Sequence, residues 1–118
     1  MGQSATYTGS CHCGAVRYQV NADISTVTTC NCSNCQRLGW MLAFVPEAEF
    51  TLLTPAAPLT DYQFSHKRLH HVFCPTCGVH PFSRGPGKAG PMVAVNVRCL
   101  DGVELDKLTV NHFNGRDL

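Results

Sequence analysis

The spacing of the cysteines limits what this chain can become more than any other feature. Seven of the eight cysteines fall into three short clusters. Cys11-His12-Cys13-Gly14 is a C-x-C followed by glycine, and Cys30-Asn31-Cys32-Ser33-Asn34-Cys35 is a C-x-C-x-x-C. Cys74-Pro75-Thr76-Cys77-Gly78 is a C-x-x-C, again followed by glycine, and Cys99 stands alone. In a secreted protein such a count reads as disulfides, whereas in a reducing compartment it reads as metal or redox chemistry. The segment Met1–Ser10 is polar and has no apolar signal-peptide core, so the expected location is cytoplasmic and the expected chemistry is metal binding. A thioredoxin-like redox pair needs a strand–motif–helix context in a βαβ unit, and that context is missing.

Zinc takes four ligands in a tetrahedron, and thiolates paired in tight turns supply two each. A glycine just after such a pair lets the backbone turn without a Cβ clash. Cys11 and Cys13 with Cys74 and Cys77 are the natural closed set, because both pairs carry that glycine. Such a site would staple the first part of the chain to a segment some sixty residues on. Cys30, Cys32 and Cys35 then offer three ligands, the number found in a catalytic zinc site with one open position. A fourth ligand from elsewhere, or a different pairing of the three clusters, stays open at this stage.

The rest of the chain reads as β-structure. Ala15–Val20 alternates apolar and polar residues, the period of a half-buried strand. Ser25–Thr29, Met41–Val45, Phe50–Leu53, Leu59–Phe64, Leu69–Phe73, Met92–Val97 and Leu108–Phe113 are short and β-branched, aromatic or alternating. Many short strands broken by Gly and Pro predict a mainly β sandwich or irregular barrel. One short helix is expected, capped by Ser33 and ended by Gly39. The run Gly85–Pro91 reads as a surface loop, and no linker interrupts residues 1–118, so one domain is expected. Nine basic and eight acidic residues with no Lys/Arg stripe give no reason to expect nucleic acid as a partner. No apolar run approaches the roughly 20 residues of a membrane span.

Taken in order, Gly9-Ser10-Cys11-His12-Cys13-Gly14-Ala15-Val16, the C-x-C-x-x-C and Phe73-Cys74-Pro75-Thr76-Cys77-Gly78 resemble the glutathione-dependent formaldehyde-activating enzyme family, also called the GFA or CENP-V/GFA domain. Val95–Val103 and His112–Arg116 resemble its short bacterial members. The resemblance implies a β-tent fold and two zinc ions per chain. One would be structural, on Cys11, Cys13, Cys74 and Cys77. The other would be the active-site metal, on Cys30, Cys32 and Cys35. The implied activity is that of a carbon–sulfur lyase, which reversibly joins the thiol glutathione to the aldehyde formaldehyde. After Cys35 the family has a basic pair, and here Gln36 takes the first place and Arg37 the second. Arg37 is the candidate contact for a substrate carboxylate. The competing reading is a non-enzymatic binding module held by two structural zinc sites.

The remaining candidates are expected to be ordinary. Cys99 should be a small buried apolar residue, and His12 should point away from any metal. Adjacent strand residues face opposite ways, so only one of His70 and His71 can look inward. His66, His80 and His112 read as isolated, with His80 nearest the third cluster. Trp40, Met41 and Phe44 are expected to wall the second metal, and Lys88 to be solvated.

Overall fold

The computed structural model describes residues 4–63, 69–87 and 90–117. His66, Lys88 and the end of the expected Leu59–Phe64 strand lie outside them. The architecture is two open sheets packed face to face, which selects the sandwich over a closed barrel. The smaller sheet orders β1 (Ala5–Ser10), β2 (Arg17–Ala22) and β5 (Phe50–Leu52) with β2 in the centre. The larger runs β10 (Thr109–Phe113), β3 (Thr26–Cys30), β4 (Leu42–Pro46), β9 (Gly90–Asn96), β8 (Phe82–Gly87), β7 (His70–Phe73), β6 (Thr60–Tyr62). All pairs are antiparallel except β10 with β3, which run parallel with Phe113 opposite Cys30.

Period-two alternation explains which residues meet between the sheets. On β2, Tyr18, Val20 and Ala22 are buried while Arg17 and Asn21 are exposed. They meet Ala43 and Val45 of β4, Val93 and Val95 of β9, and Phe82 of β8. Tyr18 is wholly buried and stacks on Phe50 at 5.3 Å between ring centroids, with Phe82 edge-on at 5.8 Å. Its hydroxyl donates to the Pro81 carbonyl at 3.2 Å, so the phenol enters the core without an unmet donor. Burial keeps that phenol protonated, pushing it far above its ordinary pKa.

The outer face of the large sheet is chemically different. Register sets Tyr62, His71, Ser83, Ala94 and Phe44 in one row, and Thr28, Leu42 and Asn96 in the next. The three buried polar side chains His71, Ser83 and Asn96 therefore all lie on this face. Cys30 shares it, being two residues on from Thr28 along β3.

Three details differ from what the sequence suggested. Of the expected Gly85–Pro91 loop, the described residues are strand: Gly85 pairs with Met92, Pro86 with Pro91 and Gly87 with Gly90 at the ends of β8 and β9. β1 is a full strand although its own burial alternates poorly; its register along β2 makes it one. The helix α1 (Ser33–Leu38) is capped by Cys32 and not by Ser33, the Cys32 sulfur accepting from Cys35 N at 3.2 Å. Gly39 ends it in the left-handed region at φ 67°, as a C-terminal glycine cap requires.

Candidate functional site

Each cysteine cluster begins where a strand runs out. Cys11 follows β1, Cys30 is the last residue of β3, and Cys74 follows β7. The first and third clusters form matching turns. Cys11 N donates to Val16 O at 3.1 Å and Gly14 N to Cys11 O at 3.2 Å; Cys74 N donates to Val79 O at 3.0 Å and Gly78 N to Cys74 O at 2.8 Å. Gly14 and Gly78 sit at φ 83° and 79°, a region that disfavours any residue with a Cβ.

These turns gather Cys11, Cys13, Cys74 and Cys77, whose sulfurs all lie within 4.8 Å of one another. Cys11 and Cys13 sulfurs are 3.7 Å apart, and Cys13 and Cys74 sulfurs 3.6 Å. Four sulfurs around a zinc at its usual bond length stand about 3.8 Å apart, so the group has the dimensions of a tetrahedral site. Backbone N–H groups of Cys13 and Val79 hold the Cys77 thiol down to about 6, and Cys74 is lowered chiefly by the Cys77 N–H. Cys13 receives an N–H from Ala15, yet the neighbouring thiols Cys74, Cys11 and Cys77, together with burial, push it up to about 11. Some sulfurs are ready to ionise and others are opposed by them, which is the imbalance a divalent cation relieves. Because β1 belongs to the small sheet and β7 to the large one, this group ties the two sheets together.

Cys30, Cys32 and Cys35 form a second group, again with sulfurs within 4.8 Å of one another. The tight C-x-C turn aims Cys32 N at the Cys30 sulfur at 3.4 Å, and the first turn of α1 aims Cys35 N at the Cys32 sulfur. Burial opposes ionisation of Cys32, but hydrogen bonds from the Cys35 thiol, from the N–H groups of Cys35 and Asn34, and from Cys30 bring it below the ordinary value. Burial pushes Cys35 up to about 12. Here too the donor set fits a thiophilic metal, with three protein ligands in place of four. Trp40, Leu42 and Ala94 pack behind this group with Leu38. Met41 points the other way into the sandwich core, and Phe44 is exposed, so of the three expected wall residues only Trp40 lies against it.

Beside the second group an open cleft of about 330 Å³ is lined by Thr29, Cys30, Asn31, Gln36, His112, Phe113 and Asn114. Gln36 therefore reaches the cleft lining, while Arg37 is exposed and donates to Ser33 O at 2.8 Å across its own helix. His112 is not isolated: its Nδ1 lies 2.7 Å from the Thr29 hydroxyl. Sequence reasoning missed it because only the parallel β3–β10 pairing, which joins residues more than eighty apart, puts it there. His80 stacks near Phe73 and edge-on to Trp40, and His71 is tilted against the same indole at 6.2 Å. Burial lowers both imidazoles and keeps them neutral. His70 instead meets Asp61 at 2.6 Å on the opposite face. Cys99 is partly buried, its thiol 3.9 Å from His80 O.

The three cysteine motifs all lie within a stretch that one family model matches. The model of the glutathione-dependent formaldehyde-activating enzyme family matches residues 6–114. The chain belongs to that family. Among solved structures, a crystal structure of a Rhodobacter sphaeroides protein is similar, with a TM-score of 0.74 and 30% identity over 88% of this chain and 99% of that one. The formaldehyde-activating family match spans all three clusters, the Trp40 wall and the cleft residues from Thr29 to Asn114. Among the described residues, no helix is long and apolar enough to cross a membrane.

The second group has a steric feature that tests its occupancy. A Cβ built on Gly115 would lie 2.5 Å from the Cys30 sulfur and 3.3 Å from Cys32 Cβ. A free Cys30 side chain can rotate away from it, whereas one fixed by a metal cannot. Gly115→Ala is therefore expected to lower second-site metal affinity by at least about tenfold, within the range of overpacking costs. Stability in chelator should barely change. Competition with a metal-binding dye measures the first, and thermal unfolding the second; equal affinity in both proteins would mean that Cys30 holds no metal.

Proposed function

We propose that the chain reversibly adds a thiol, glutathione or a similar one, to formaldehyde or another small aldehyde, at the three-cysteine group. The observation that carries this reading is the contrast between the two groups. One has four thiols, a complete tetrahedral set; the other has three, and its Cys30 lines the cleft. We infer two zinc ions per chain, structural on Cys11, Cys13, Cys74 and Cys77, and working on Cys30, Cys32 and Cys35. Bound there, zinc would favour the thiolate form of a thiol at neutral pH. A cytoplasmic setting suits the proposal, because all eight cysteines are free and that compartment keeps thiols reduced. Residues 1–118 act in this reading as one domain, with small molecules and not nucleic acid or membrane as partners.

This chain's own residues supply binding and shape. N–H groups from Cys32 and Cys35 hold the Cys30 and Cys32 sulfurs in place. Trp40, Leu42 and Ala94 keep water from the back of the group. Gln36 in the cleft lining supplies a neutral amide, suited to a peptide group of a thiol such as glutathione. Arg37 uses one of its five N–H donors within its helix and keeps others for a carboxylate. In the addition, a carbon–sulfur bond forms, the carbonyl π bond breaks, and a proton ends on the new hydroxyl; the reverse step expels the thiolate. Nothing is oxidised.

Glutathione and formaldehyde also combine unaided, so the decisive assay follows exchange between free and combined forms above that background. Wild type should accelerate exchange and Cys32→Ser should not, with the variant's fold and first metal checked in parallel. If no thiol–aldehyde pair responds, and an added thiol leaves the spectrum of a cobalt-substituted second site unchanged, the lyase reading is wrong. The rival, a zinc-held binding module, draws on Phe44, Tyr62 and Phe113, which are about half exposed on the face that carries Cys30. That outcome of the cobalt experiment would favour it.

A further inference from the structure

Asn31 sits between two thiols of the second group, yet its side chain is engaged with the far end of the chain. Past the ends of the parallel strands, Asn31 N donates to Phe113 O at 3.2 Å. Its Nδ2 donates to Asn114 Oδ1 at 2.9 Å, and Arg116 N donates to its Oδ1, also at 2.9 Å. One amide thus provides a donor and an acceptor in fixed geometry, and no other side chain of that length offers both. Gly115, held between these contacts, passes so close to the Cys30 sulfur that a Cβ there would lie 2.5 Å from it. The held segment has little apolar anchorage of its own, because Phe113 is half exposed and Asn114 and Arg116 are exposed. Beyond the last ladder pair, Phe113 with Cys30, polar attachment to Asn31 helps to set its distance from the thiols. Phe113 and Asn114 in turn form one side of the cleft whose other side includes Cys30 and Gln36.

We propose that Asn31 is a positioning residue, and that the Phe113–Arg116 segment it holds is the wall that limits how large a molecule can reach Cys30. The proposal rests on the functional reading above only in taking this cleft as the entry for substrate. A wall set by two amide hydrogen bonds discriminates by size: small reactants pass it, and bulky ones need it displaced. Loosening it should therefore change the access of large molecules and leave that of small ones nearly as before.

Thiol alkylation of the metal-loaded full chain reads this without any enzymatic assay. Cys30 is modified with iodoacetamide or with a fluorescein maleimide and quantified by peptide mass, with each reagent's rate on a free small-molecule thiol as reference. In Asn31→Ala the bulky-to-small rate ratio at Cys30 should rise about tenfold, the equivalent of roughly 1.4 kcal/mol of lost hold. Asn114→Ala, which removes the acceptor for Asn31 Nδ2 at an exposed position and leaves the Arg116 N–H bond in place, should raise it by a smaller factor. Metal content and thermal midpoint are measured on both, and Asn114→Ala decides the matter if Asn31→Ala does not fold. An unchanged ratio, or equal acceleration of both reagents with loss of metal, overturns the proposal. Thiol–aldehyde exchange is run on the same proteins. Its absence in wild type would count against the function alone, because the alkylation ratio does not depend on turnover.

Discussion

Cys74→Ser is expected to leave the chain without its native fold. Cys74 is 1% exposed, belongs to the four-thiol group, and reaches Cys13 across sixty-one residues and from the other sheet. A structural zinc contributes about 10–16 kcal/mol to the folding of small zinc domains. The whole stability of an ordinary domain is only about 5–15 kcal/mol. Losing one thiolate, and leaving a serine hydroxyl that neither ligates well nor finds water, should therefore exceed the margin. The expected result is insoluble protein, or a soluble chain with no cooperative thermal transition and no β circular dichroism. Cys99→Ser is the control: outside both groups, it should stay folded with its midpoint within a few degrees of wild type. A Cys74→Ser protein with an unchanged midpoint would remove the group from the fold's energetics.

Mild chelation should strip the protein in two separable steps. The three-thiol group is reached from the open cleft and has Cys30 and Cys32 partly exposed. The four-thiol group has Cys13 exposed but Cys11 and Cys74 buried, and it holds its metal with one thiolate more. Metal content should fall from two equivalents per chain to one while β circular dichroism persists, because α1 and the Trp40 cluster lie outside the main sandwich core. Only stronger chelator, or heat, should remove the second equivalent, and unfolding should come with it. Simultaneous loss of both metals with the fold would mean that the second group is as structural as the first, and the binding-module reading would then gain.

Much of this was legible in the residues, for identifiable reasons. A strand half-buried between sheets must alternate, and Arg17–Ala22 does so whatever its neighbours are. A glycine after a cysteine pair is needed by the turn itself, and Gly14 and Gly78 occupy the left-handed region that the local sequence anticipates. Adjacent residues on a strand diverge, so His70 and His71 separate by geometry that needs no partner. Where the signal failed, the cause lay in pairing. β1, the Gly85–Gly87 end of β8 and the Gly90–Pro91 start of β9 have weak strand character of their own and become strands because their partner strands complete the ladders. The helix cap moved from Ser33 to Cys32 because a sulfur drawn into the thiol group was already placed over the Cys35 N–H.

The sequence by itself determined the chemistry: three cysteine clusters, glycine-flanked turns, short alternating strands and the family to which they belong. These follow from local rules, since a thiolate pair, a turn glycine and a buried stripe each need only residues a few positions apart. Which clusters share a group was decided only by the tertiary structure, when β1 and β7 came together from opposite sheets. The cleft was decided there too. His112, Phe113, Asn114 and Gly115 meet Cys30 through a parallel strand pair, and a parallel partner can come from anywhere in the chain because hydrogen bonding between backbones carries no side-chain signature.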